Sequence, residues 1–158
     1  MKPLFAATIA LLAPIALLAP IAGHAATPVT HFPAAAPKGI AGMGASPPFS
    51  AAVMAGDTLY IAGTTDNDPA TGKPPADAAS GARLVLDTIK ATVTRAGLTM
   101  DDLVWVQVFA SNLADFGAFN TVYRTYFTGP MPARAFLGAG SLLGGAHFEV
   151  MGIAVKRK

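Results

Sequence analysis

The segment Leu103–Ala110, Leu-Val-Trp-Val-Gln-Val-Phe-Ala, restricts the possible folds of this chain more than any other. Its β-branched and aromatic residues read as a strand, with Val104, Val106 and Val108 on one face and Trp105 and Phe109 on the other. A strand that is apolar on both faces belongs at the centre of a sheet or at an interface. It therefore needs a covering layer on each side.

The rest of the chain supplies one of those layers. Between Ala76 and Ala96, the residues Ala82, Val85, Leu86, Ile89 and Val93 recur at helical spacing, and Gly97 stands where a helix would stop. A second helix is expected after Asn112, a capping residue with Asp115 three positions on. Its apolar stripe is Phe116, Phe119, Tyr123 and Tyr126, and Thr128-Gly129-Pro130 ends it. Four further strands are expected. Phe49–Met54 and Thr58–Gly63 form a hairpin about Ala55-Gly56-Asp57, and Ala133–Leu137 and His147–Val155 close the domain. Asp66 to Pro75 reads as a turn-rich loop, and Gly138 to Gly145, with four glycines, as another.

The resulting order, β-β-α-β-α-β-β, predicts an α+β fold: a single mixed sheet with two helices on one face. Nothing left in the chain covers the other face, so association through the sheet is expected on packing grounds.

A length of 158 residues suits one domain with a proper core and hardly two. The composition is 53% hydrophobic and only 13% charged, partly because of the first 25 residues. Met1-Lys2 is a short basic start, and Pro3 to Ala22 carries no charge. Gly23-His24-Ala25 then places small residues at the −3 and −1 positions of a cleavage site. This reads as a signal peptide over 1–25, a flexible Ala-, Pro- and Gly-rich linker over 26–46, and a folded domain over 47–158.

The alternative is an uncleaved anchor, since the apolar run exceeds the usual length of about 7–15 residues. Pro14 and Pro20 oppose it, because each removes a helix hydrogen bond that lipid cannot replace. A periplasmic or secreted location is expected, with no membrane attachment after cleavage. Mass spectrometry of the protein from its native host should find a chain beginning at or near Ala26; a full-length, membrane-extracted product would mean an anchor.

Without Lys2, ten basic residues face nine acidic ones, and Lys156-Arg157-Lys158 is the only basic cluster. So little positive charge argues against a nucleic-acid partner. The chain has no Cys, which excludes disulfides, thiolate metal sites and a thiol nucleophile. Of its three histidines, His24 is in the leader and His31 in the linker, leaving His147 alone in the domain. A multi-histidine metal site is therefore not expected, nor any cofactor. Phosphate-loop, dinucleotide and serine-hydrolase motifs are missing.

Two charges stand in apolar strands. Glu149, the only Glu in the chain, lies in Phe148-Glu149-Val150-Met151, and Arg134 lies in Pro132-Ala133-Arg134-Ala135-Phe136. Burying either unpaired is costly, so they face water on an edge, pair with each other, or serve a site.

Several segments carry a family resemblance: Ala55-Gly56-Asp57-Thr58-Leu59-Tyr60-Ile61-Ala62-Gly63, Asp68-Pro69-Ala70-Thr71-Gly72, Ala96-Gly97-Leu98 and Asp102-Leu103-Val104. Asp115-Phe116 through Asn120, Tyr123, Phe127, Pro132-Ala133-Arg134 and Glu149-Val150 through Ala154-Val155 complete the set. In this order and spacing, from about Pro47 to Arg157, the chain resembles the reactive-intermediate deaminases (Rid, YjgF-like). Pro-Ala-Arg is the most specific element.

The resemblance implies a chorismate-mutase-like (YjgF-like) homotrimer that hydrolyses reactive enamines and imines (2-imino acids) to 2-oxo acids and ammonia. It implies that Arg134 fixes the substrate carboxylate and Glu149 orients the attacking water. Gly63 and Phe136 would line the same pocket. The best-known members have Tyr where this chain has Phe49, Ser where it has Ala62 and Cys where it has Phe136. Those changes remove hydroxyls and alter the pocket's shape, leaving a non-catalytic small-carboxylate-binding or chaperone-like member as the alternative. His147, two residues before Glu149, is expected on the same strand face, as a packing residue or as a replacement proton carrier.

Overall fold

A computed structural model describes residues 26–35 and 47–157 of the chain. The expected leader, 1–25, lies outside the described residues, as do 36–46 of the expected linker and Lys158. In chain order the main elements are β1 (Val29–Pro33), β2 (Ser50–Ala55), β3 (Thr58–Thr65), α1 (Ala78–Arg95), β4 (Leu103–Ala110), α2 (Phe116–Tyr123), β5 (Ala133–Gly138) and β6 (Phe148–Val155). They build one six-stranded sheet in the order β1-β2-β3-β6-β4-β5. Every neighbouring pair is antiparallel except β4 and β5, which run parallel and are joined through α2.

Local chemistry explains the element ends. Gly56 takes a positive φ of 59° between the paired Ala55 and Thr58, which the tight β2–β3 turn requires. Asp77 caps α1 by accepting from the Ser80 N–H at 2.9 Å. At the other end Gly97 has a φ of 77°, and the N–H groups of Gly97 and Leu98 donate to the carbonyls of Thr94 and Val93, both at 2.9 Å. That double bond pattern closes the helix as its sequence predicts.

The core lies between the helices and one face of the sheet. Val85, Leu86, Ile89 and Val93 of α1 meet Phe119 and Tyr123 of α2 over Leu59, Ile61, Val106, Val108, Phe148 and Val150. On the opposite face one row crosses four strands: Val53 pairs with Tyr60, Tyr60 with Ile153, and Ile153 with Trp105. Tyr60 in that row is 52% exposed. This is the uncovered face anticipated from the sequence.

Three sequence expectations need correction. Val29–Pro33, placed within the flexible linker, is an edge strand paired with β2. Its side chains are mostly exposed, so no apolar alternation marked it; backbone bonds hold it. Val104 does not join Val106 and Val108 in the core. The β4–β6 register shifts between Leu103 and Trp105, so Leu103 is buried and Val104 is 48% exposed. The second helix is shorter than its stripe, with 3-10 turns at Leu113–Asp115 and Arg124–Tyr126 flanking α2. Asn112 caps the first of these turns through the Ala114 N–H, while Asp115 makes no side-chain capping bond.

Candidate active site

The expected site residues fall into two groups, whose charges, Arg134 and Glu149, project from different sides of the sheet. Pairing register decides this, because neighbours across a ladder share a face. Arg134 lines up with Val106, and Val106 with Gly152, both on the helix-covered side. Glu149 lines up with Phe109, half-buried on the open side. The two make no ion pair; among the described residues the ion pairs are His147–Asp66 and Arg157–Asp102.

Arg134 has a built setting. Its Nη2 donates to Asn120 Oδ1 of α2 at 2.6 Å. Its guanidinium carbon lies 4.6 Å from the Tyr123 ring centroid, 5.8 Å from those of Phe116 and Phe136 and 5.9 Å from that of Phe119. Phe136 in turn meets Phe116 edge-on at 5.0 Å. Four aromatic rings and one amide thus hold the planar fork without neutralising it.

A cavity of about 180 Å³ opens beside it, lined by Asn120, Tyr123, Arg124, Met131, Pro132 and Arg134. Two guanidinium-bearing residues and no carboxylate line that space, which favours an anion. Burial pushes the Arg134 guanidinium below the ordinary arginine value, with Arg124 adding to the effect, yet arginine stays charged at any working pH. Burial raises the Tyr123 phenol to about 12, so Arg134 faces a neutral ring.

Phe49, Ala62, Gly63 and Glu149 come together elsewhere, in a cleft of about 640 Å³ that Thr64, Thr65 and Asn67 also line. The local cause is a break in pairing. β2 and β3 part after Ala52 and Ile61, and the β3–β6 register shifts between Ile61 and Thr64. Ala62 and Gly63 sit in that irregular stretch. A Cβ added at Gly63 would collide with Glu149 Oε1, so this glycine is what lets the carboxylate lie against β3. No hydrogen bond holds the Glu149 carboxylate among the described residues.

His147 does not share the face of Glu149. It precedes β6, and its Nδ1 lies 2.8 Å from Asp66 Oδ2, close enough to α1 that a Cβ at Gly81 would stand 3.2 Å from that nitrogen. Sequence reasoning missed Asp66 and gave Asn120 no role. Nothing local separates buried Asp66 from its half-buried neighbour Asp68. Asn120 carried one signal, an amide beside the Phe119 and Tyr123 stripe of a mostly apolar α2 segment. Among the described residues no three His, Asp or Glu side chains converge as a metal site would require.

The fold and the arginine without an acidic partner among the described residues define an α+β protein with a cationic pocket on its helix-covered side. The family model described as endoribonuclease L-PSP matches residues 40–156, and the chain belongs to that family, the Rid (YjgF-like) proteins. It is similar to the 2-iminobutanoate/2-iminopropanoate deaminase of Escherichia coli K12, with 36% identity over 113 residues, covering 70% of this chain and 88% of that one. The crystal structure of the E. coli YjgF gene product has a TM-score of 0.69 and 32% identity, covering 81% of this chain and 99% of that one. E. coli TdcF with bound serine has a TM-score of 0.70 and 31% identity, covering 81% and 100%. The relatives' names point to hydrolysis at C–N bonds, and TdcF binds a small amino acid. No helix among the described residues is long and apolar enough to cross a membrane.

Proposed function

We propose that this chain is an exported deaminase that converts 2-imino acids and their enamine tautomers to 2-oxo acids and ammonia. The observation that carries this reading is Arg134, a half-buried fork held by Asn120 and four rings, with no acidic partner among the described residues. A substrate carboxylate supplies that partner and accepts two parallel hydrogen bonds. Water then adds to the imine carbon. Glu149 takes a proton from the water and returns it to the nitrogen, and the carbinolamine collapses to the 2-oxo acid as ammonia leaves.

Because Arg134 and Glu149 face opposite sides of one sheet, a complete site needs two subunits. The Arg134 cavity of one chain faces the Glu149 cleft of its neighbour in a homotrimer closed over the open sheet face. Light scattering on the mature protein should give about three chain masses. A stable monomer at micromolar concentration would leave Arg134 and Glu149 in separate sites and end this mechanism.

The direct test uses imines made in situ by an amino-acid oxidase, with 2-oxo acid release followed in time. Faster release with the protein than without it is the expected result. If no imine responds while 2-oxo acids still bind, the non-catalytic carboxylate-binding reading holds. Phe49 and Ala62 favour that second reading, because neither places a hydroxyl in the Glu149 cleft.

A further inference from the structure

We propose that Asp66 and His147 form a positioning pair that sets the place of Glu149. Asp66 is a carboxylate with 0% exposure, which is unusual unless its charge is satisfied. Its Oδ1 accepts from the backbone N–H groups of His147 at 2.9 Å and Phe148 at 3.1 Å. Its Oδ2 faces His147 Nδ1 at 2.8 Å, and since a carboxylate only accepts, the ring nitrogen donates. The Asp66 N–H also donates to the Phe148 carbonyl at 3.2 Å. Four hydrogen bonds thus join the residue just past β3 to the two residues just before Glu149.

Thr65 and Glu149 are the last pair of the β3–β6 ladder, immediately inside this clamp. Gly81 of α1 backs it, since a Cβ there would collide with Asp66 Oδ2. The Glu149 carboxylate itself has no hydrogen bond among the described residues. Its direction is therefore set by the backbone that Asp66 holds and by the bare surface of Gly63. Thr64, Thr65 and Asn67, on either side of Asp66, line the same cleft as Glu149. The pair consequently fixes both walls at the point where the general base works. Neither residue touches substrate.

The rate test rests on the deaminase reading, so a second readout is needed that does not. Glu149 is the only Glu in the chain, so ¹³C-glutamate labelling gives one side-chain carboxyl resonance from the mature protein. His147→Leu removes the ring donor, whereas His147→Asn keeps a donor nitrogen on the same side-chain carbon. With the Leu variant, kcat should fall by about 10²-fold, the cost of a small misplacement of a reacting group, while KM stays within about twofold because Arg134 is untouched. The Glu149 resonance should move in the Leu variant, and the Asn variant should restore both rate and resonance.

Should the Leu variant fail to fold, Gly81→Ala decides. It pushes on the Asp66 carboxylate while adding helix propensity, and the same loss of kcat is expected. A lower melting temperature with unchanged kcat and an unmoved resonance would make the pair a structural brace and overturn the proposal. A rise in KM with kcat intact would overturn it as well. If the wild type hydrolyses no imine, the deaminase reading fails by itself, and the resonance alone then decides the positioning role.

Discussion

Glu149→Gln should slow imine hydrolysis by about 10²–10⁴-fold, the usual contribution of a positioned acid–base group, while 2-oxo acids continue to bind. The amide keeps the size and hydrogen-bonding reach of the carboxylate but cannot take a proton from water. The position suits this test, because the carboxylate lies against Gly63 and has no hydrogen bond among the described residues. No structural bond is therefore lost with its charge, and the melting temperature should change little. Steady-state kinetics with oxidase-generated imines, beside calorimetric binding of 2-oxo acids, separates the two effects. Unchanged turnover would remove Glu149 from the chemistry. Binding lost together with turnover would assign it to ligand holding instead.

Arg134→Lys should weaken binding of 2-oxo acids and lower kcat/KM, each by about 2–4 kcal/mol, the range for breaking a buried, charge-paired contact. A lysine keeps the charge but offers one ammonium where the substrate carboxylate needs two parallel donors. It also loses the planar stacking that Tyr123, Phe116, Phe119 and Phe136 give the guanidinium. Conservation of charge is thus not conservation of the site. Calorimetry with a series of 2-oxo acids measures the loss. It should be nearly the same for every member, because the anchor reads the carboxylate and not the side chain. A loss confined to one ligand would instead place Arg134 against the variable end of the substrate.

Much of the fold was legible in the sequence because apolar periodicity reports directly which face of an element is buried. The spacing of Val85, Leu86, Ile89 and Val93 defined α1 to within about two residues, and Leu103–Ala110 matches β4. The β2–β3 turn followed from Gly56, whose backbone conformation few other residues adopt. β1 escaped because a strand on a sheet edge can be held by its backbone while its side chains face water. Val104 was misplaced because a register shift leaves no trace in alternation.

Within the site, the sequence by itself determined that Arg134 and Glu149 are isolated charges in apolar strands and that the chain resembles the family to which it belongs. Only the tertiary structure decided which side of the sheet each one faces, since that depends on register with strands distant in the chain. Arg134 ended beside Val106 among the rings of α2, and Glu149 beside Phe109 and Gly63 in a separate cleft. The Asp66–His147 bond spans 81 positions of sequence and depends on where α1 leaves room at Gly81. Periodicity describes one element at a time, whereas such a contact exists only once three elements have packed together.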